Sequence, residues 1–269
     1  MLTEVNKGSI YSVTYGEGKP IVILHPLATD HRSMEAWLEP IFEIHKGFKR
    51  IYVDIPAHGK SLINEEVNTT EEILSMIDEF LKGTLGNTPF LIIAMSFGSY
   101  LAQGLLSKFG EQVDGLSLLA PVTQTMEREV PNRVILEKDE EIFKDLDDEI
   151  GKAFDILIAK QNKENLELFL REFQPGRLLA NRKFLASEWR TKGYHYSFEL
   201  YPDGRKFEQN TLILTGKQDY ICGYKDPFKL VDNFPNSTYT ILNNTGHLIQ
   251  IEQRKQVQYH VGEWLKNFK

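Results

Sequence analysis

Apolar positions in the first 125 residues fall into short continuous runs at 10–14, 21–24, 50–53, 89–93 and 115–120, the first of which reads as an edge strand. Between them, 34–44 and 71–82 carry apolar residues at helical spacing, and a further amphipathic stretch begins just after Ser96. Unbroken apolar runs are expected of parallel strands covered on both faces, and their alternation with helices implies βαβ units. The pattern therefore predicts an α/β fold: a mostly parallel central sheet with helices on both faces. Gly16 and Gly18 precede a strand rather than a helix, so they are read as a turn and not as a phosphate cradle.

The pattern changes over 126–208, where strand signals nearly vanish and charge rises. Ile142, Leu146, Ile150, Phe154 and Ile158 recur at helical spacing, so the charges read as the solvated face of amphipathic helices. Pro175-Gly176 is expected to break this helical region, and another helix is expected at 184–191. Strand runs resume at 211–215 and 237–242, and a last helix is expected at 253–268. The expected organisation is one core domain, 1–125 and 209–269, interrupted by a helical insertion at 126–208.

Composition narrows the class only slightly. The chain has 269 residues, 41% of them hydrophobic, which is ample for a buried core. A net charge of -7 with no Lys/Arg-dense face argues against a nucleic-acid partner. One cysteine, Cys222, leaves no intramolecular disulfide, fits a reducing compartment and reads as a buried small residue. The first residues carry polar and acidic side chains where a signal peptide needs an apolar core, and no run reaches membrane-spanning length. The expectation is a cytoplasmic protein with no membrane partner.

The candidate chemistry starts at Ser96. A serine before a helix is commonly an N-cap. Here Ala94-Met95-Ser96-Phe97-Gly98 matches the nucleophile-elbow pattern G-x-S-x-G with Ala at the first glycine. A serine nucleophile needs a base, and the base needs a third group to fix its tautomer. In sheet proteins with this elbow the partners follow in the order Asp or Glu, then His. Asp219 follows the run 211–215 and His247 follows 237–242, each at a strand's carboxyl end, where α/β sheets gather functional groups. Each singly has a plainer reading, Asp219 in a turn and His247 as a cap. The oxyanion hole is expected from the backbone N–H of Phe97 and of Leu27, since Pro26 has no N–H. His25 and His58 read as structural, and His25 and His31 lack a third ligand at recognisable metal spacing. His195, in an aromatic segment of the insertion, reads as packed or facing a substrate.

With these residues assembled, the chain resembles the α/β-hydrolase superfamily, specifically its small lid-bearing serine hydrolases. The resemblance rests on "GKPIVILHPLATD", "IYVDIPAHGKS", "AMSFG", "LTGKQDYIC" and "TGHLIQIEQ" in the family's order. It implies that the insertion, placed after the sixth strand of the family's sheet, is a lid over the site. Three positions depart from the common pattern: Pro26, Ala57 and Ala94 each stand where a glycine is usual. Pro26 bears on the Leu27 donor, because proline fixes a negative φ where a glycine is free to take a positive one.

Relatives that displace halide or open epoxides place Asp at the elbow, so Ser96 points instead to acyl chemistry. The resemblance implies a serine esterase acting through Ser96, His247 and Asp219 on a small, largely apolar molecule, with no metal or organic cofactor. Phe143, Phe154, Trp189 and Tyr194 are expected pocket-wall residues. The alternatives are hydrolysis of a carbon–carbon bond in a diketone-like metabolite, and a ligand-binding or signalling protein of the same fold with little turnover. The sequence leaves the oligomeric state open.

Overall fold

Alternate side chains of the central apolar runs serve two different cores. The computed structural model describes residues 1–123 and 125–269. In chain order the strands are β1 (Leu2–Val5), β2 (Gly8–Tyr15), β3 (Lys19–Leu24), β4 (Phe48–Val53), β5 (Leu62–Ile63), β6 (Phe90–Met95) and β7 (Val113–Leu119). A two-residue pair, β8 (Glu137–Lys138) and β9 (Lys160–Gln161), stands apart, and β10 (Asn210–Gly216) and β11 (Ser237–Leu242) complete the main sheet. Among the described residues that sheet has nine strands in the order β1-β2-β4-β3-β6-β7-β10-β11, with β5 paired to β2. Pairing is parallel from β4 through to β11 and antiparallel for β1 with β2 and for β2 with β4.

Because side chains alternate along a strand, Val22, Leu24, Ile92 and Ala94 join one core while Ile21, Ile23, Leu91 and Ile93 join the other. The first core is closed by helices α2 (Thr70–Leu85) and α3 (Phe97–Phe109), the second by α1 (Arg32–Ile44) and the helix Arg254–Leu265. Helix α2 starts at a capping box in which Thr69 and Glu72 satisfy each other's backbone N–H groups.

Four expectations are corrected. The run at 10–14 is not at the sheet edge, because β1 lies outside it; only Leu2 and Val5 of β1 are apolar, too weak a pattern to read as a strand. The helical spacing from Ile142 to Ile158 yields one helix, α4 (Asp148–Leu157): Asp147 accepts from Glu149 N and Ile150 N at its start, and Ile158 is extended. Pro175-Gly176 does not break a helix but lies inside the four-residue helix Gln174–Arg177. The π-helical segment Phe169–Phe173 runs directly into it, with Gln174 N donating to Phe169 O, and Pro175 supplies no N–H at the next position. Gly176 packs on the 29–30 backbone, where a Cβ would fall 2.4 Å from Asp30 N. The expected helix at 184–191 is split into Arg182–Leu185 and a wide turn, Trp189–Gly193. No helix among the described residues is long and apolar enough to cross a membrane.

Candidate active site

The join of β6 to α3 forces the backbone into a conformation a simple cap would not need. Ser96 has φ 52° and ψ -118°, an unfavourable region for a residue with a side chain. Its hydroxyl makes no capping bond to the helix. Gly98 must lack a side chain, because a Cβ there would lie 2.6 Å from Leu24 O and 2.7 Å from His25 O. The strained turn is anchored by Ser96 N donating to Leu119 O at 2.9 Å and by Ser99 Oγ donating to Ala94 O at 2.7 Å. The result is an Oγ directed away from the helix and into a side-chain cluster.

In that cluster His247 Nε2 lies 2.9 Å from Ser96 Oγ, and His247 Nδ1 lies 2.9 Å from Asp219 Oδ2. The carboxylate accepts only, so Nδ1 carries the proton and Nε2 accepts from the serine hydroxyl. Asp219 Oδ1 accepts from the backbone N–H groups of Ile221 and Cys222, which fixes the carboxylate plane. Burial works against the imidazolium form of His247, but the Asp219 carboxylate outweighs it and raises the imidazole's proton affinity above the ordinary value. All three side chains are buried.

Residues 151 apart in sequence meet because the loops after β10 and β11 are stitched together. Gln218 N donates to Thr245 O at 3.0 Å, and Thr245 N donates to Gln218 Oε1 at 3.1 Å. Gly216 permits the approach, since a Cβ there would meet Gly246 O at 2.2 Å. Glu252, which the sequence reading passed over, ties this loop to the insertion. Its carboxylate accepts from Ala159 N, Lys160 N and Gly246 N at 3.0, 2.8 and 2.8 Å. Burial pushes Glu252 up to about 7 against the pull of those donors. Glu252→Ala, by leaving these donors unpaired, is expected to destabilise the protein by about 2 kcal/mol. A thermal or urea melt indistinguishable from wild type would contradict that role.

The loop after β3 is built from buried histidines. His25 Nε2 accepts from Ile55 N at 2.9 Å and its Nδ1 donates to Pro26 O at 2.7 Å, so the imidazole is neutral; burial lowers its pKa. His58, packed edge-on against His25 at 5.3 Å, is pushed down to about 3 by burial. The left-handed residue in the loop is Ala28, at φ 60°, so the turn that a glycine after His25 would make is taken two positions beyond Pro26. Ala57, also a glycine in the common pattern, holds φ 70°. Neither Leu27 N nor Phe97 N donates to any acceptor among the described residues.

Two clusters bring three metal-capable groups together: Asp219, Cys222 and His247, and Asp30, His31 and Asp54. In the second, Asp54 Oδ1 accepts from His31 N and Nδ1, Asp54 Oδ2 from Lys60 N, and Asp30 from Arg32. Burial opposes the charge on Asp54, but the His31 hydrogen bonds win and hold its carboxyl below the ordinary value. Both clusters are thus spent on internal hydrogen bonds that shape the loops.

Ser96 and His247 open into a cavity of about 260 Å³, near the lower end of ordinary ligand pockets. Leu27, Val122, Ile156, Leu157, Phe173 and Ile221 give it apolar walls. Of the four aromatic residues expected there, only Tyr194 lines it. Phe143 and Phe154 pack on each other and Phe154 on Phe169, in the core under α4. Trp189 is buried edge-on against Phe97, with its indole N–H donating to Thr70 Oγ1. His195 lines a separate groove with Tyr100, Tyr196 and Tyr201. Cys222 is buried, as expected, but also faces the cavity. The expectation missed Arg128, Arg177 and Arg190, all from the insertion, which line the cavity as well.

A doubly covered parallel sheet, a strained serine at a strand–helix join and a buried Ser–His–Asp chain define the class: a hydrolase of the α/β type. Residues 19–253 match the family described as alpha/beta hydrolase fold, and the chain belongs to it. It is 21% identical over 267 residues to the (E)-2-((N-methylformamido)methylene)succinate hydrolase of Acinetobacter baylyi, covering 97% of this chain and 95% of that protein. Among solved structures it is similar to an alpha/beta superfamily hydrolase from Oenococcus oeni PSU-1, with TM-score 0.85, 25% identity and 97% and 96% of the two chains covered. An esterase from Exiguobacterium antarcticum shares the fold at TM-score 0.72 and 20% identity, over 98% of each chain.

Proposed function

We propose that the protein is a serine hydrolase that cleaves a carboxylic ester or related acyl bond of a small molecule. The observation that carries this reading is the unbroken hydrogen-bond chain from Ser96 Oγ through His247 to Asp219, at 2.9 and 2.9 Å. Ser96 Oγ attacks the acyl carbon while its proton passes to His247 Nε2, and Asp219 stabilises the imidazolium that forms. The oxyanion is held by the N–H groups of Leu27 and Phe97, each of which contributes roughly 3 kcal/mol to the barrier reduction in such sites. Collapse of the tetrahedral intermediate breaks the acyl–oxygen bond, and His247 returns the proton to the departing alcohol. Water, deprotonated by the same Nε2, then attacks the acyl carbon; the bond to Ser96 Oγ breaks, His247 returns the proton to Oγ and the acid leaves.

In this reading 126–208 acts as a lid. Its support is that Arg128, Ala153, Ile156, Leu157, Phe173, Arg177, Arg190 and Tyr194 supply half of the cavity's lining and none of the reacting groups. The esterase and hydrolase names borne by relatives agree with acyl transfer to water. The test is hydrolysis of p-nitrophenyl esters of two to eight acyl carbons. The cavity volume predicts highest kcat/KM for the short members; no turnover of any ester by folded protein would overturn the reading.

A further inference from the structure

The charge of the cavity is opposite to that of the chain. With 38 acidic against 31 basic residues the protein is anionic, yet among the described residues three arginines and no Asp or Glu line the space in front of Ser96. They come from three separate parts of the insertion: the segment after β7, the end of the helix Gln174–Arg177 and the turn Trp189–Gly193.

The contacts of Arg177 and Arg190 leave positive charge over. The Arg177 side chain is only 16% exposed; it donates to the neutral Gln174 Oε1 at 2.6 Å and reaches Glu149 at 3.5 Å. Glu149 is itself half exposed and lies closer to Arg182, at 2.8 Å. Arg190 lies over the Tyr194 ring at 4.7 Å and has no carboxylate within ion-pair distance among the described residues. Arg128 donates to Ile221 O on the opposite wall. Burial pulls the Arg177 guanidinium down, the direction expected of a cation whose nearest carboxylate does not neutralise it. Arginine stems often lie along apolar surface with the head group in water, and Arg190 alone would fit that pattern. Convergence of three guanidinium groups on one small cavity, with no Asp or Glu among its described lining residues, does not.

We propose that the substrate carries a carboxylate, held by Arg177 and Arg190 with Arg128 completing the positive wall, so that the natural substrate is a small acid-bearing ester or related acyl compound. The proposal rests on the acyl-hydrolase reading for the bond that is cleaved, but not for the anion site. A planar guanidinium fork matches a carboxylate with two parallel hydrogen bonds, and the apolar wall of Leu27, Val122 and Ile221 accommodates the short chain between the two ends. The anion is an affinity and orientation element; no bond to it is made or broken.

The test pairs monomethyl glutarate with its uncharged counterpart, dimethyl glutarate. Calorimetric titration of Ser96→Ala separates binding from chemistry: the monoester is expected to bind at least about tenfold more tightly than the diester. Arg177→Gln and Arg190→Gln, each placed in the Ser96→Ala background, are expected to weaken monoester binding by about tenfold and to leave diester binding unchanged. In the otherwise wild-type enzyme each arginine substitution raises KM for the monoester and leaves kcat within about threefold, the signature of lost uniform binding. Equal binding of the two esters, or arginine variants that weaken both alike, would overturn the proposal and make the arginines structural. Monoester binding without hydrolysis by the wild-type enzyme would instead sink the acyl-hydrolase reading and leave the anion site standing.

Discussion

Ser96→Ala is expected to lower kcat for ester hydrolysis by roughly 10⁴- to 10⁶-fold, because the nucleophile is lost while the rest of the site remains. The melting temperature should move by no more than a few degrees. The residue is nearly enclosed, but its hydroxyl serves no cap and, among the described residues, bonds only His247. Alanine at φ 52° bears the same backbone strain as serine there. A variant that keeps more than about a hundredth of wild-type kcat would show that another group attacks the substrate.

Asp219→Asn is expected to cost about 10⁴-fold in kcat with little change in KM. Asparagine preserves an acceptor for Ile221 N and Cys222 N, so the loop keeps its shape. Its amide nitrogen can donate to His247 Nδ1, which selects the tautomer with the proton on Nε2 and removes the acceptor Ser96 needs. The pH dependence fixes the sign independently. His247 acts as a base only when neutral, so activity rises with pH through its pKa. The Asp219 carboxylate holds that proton on and places the acid limb above the ordinary imidazole value. Removing the carboxylate should therefore shift the limb of the residual activity to lower pH. A limb that stays in place in the variant would mean that Asp219 does not govern His247.

The sheet was legible because its central strands are buried on both faces and read as unbroken apolar runs, as Phe90–Met95 is throughout. The elbow and its partners were legible for a related reason, since each functional side chain follows such a run at its carboxyl end. What separates a cap from a nucleophile at Ser96 is a backbone angle and a partner 151 residues away, neither of which local pattern encodes.

The insertion was the least legible part. Its elements are short and end at caps such as Asp147, so periodicity over 142–158 says which residues are apolar but not which surface they meet. Aromatic residues were expected at the cavity because they are large and apolar. Phe154 and Trp189 went instead to the core, where such side chains lose most water-exposed area. Arg128, Arg177 and Arg190 lie outside the periodic stretch 142–158, in short segments whose pattern gives no sign of the surface they face. Glu252 was hidden differently: a carboxylate at helical spacing gives no sign that backbone N–H groups from Ala159 and Lys160, far away in the chain, will join that of nearby Gly246 on it.

The central claim is that Ser96 is an activated nucleophile, and intact mass after exposure to a fluorophosphonate tests it most directly. The wild-type protein should gain one phosphonyl adduct, mapped to Ser96, and Ser96→Ala should gain none. Folded wild-type protein that stays unmodified, or an adduct that persists in Ser96→Ala, would contradict the account.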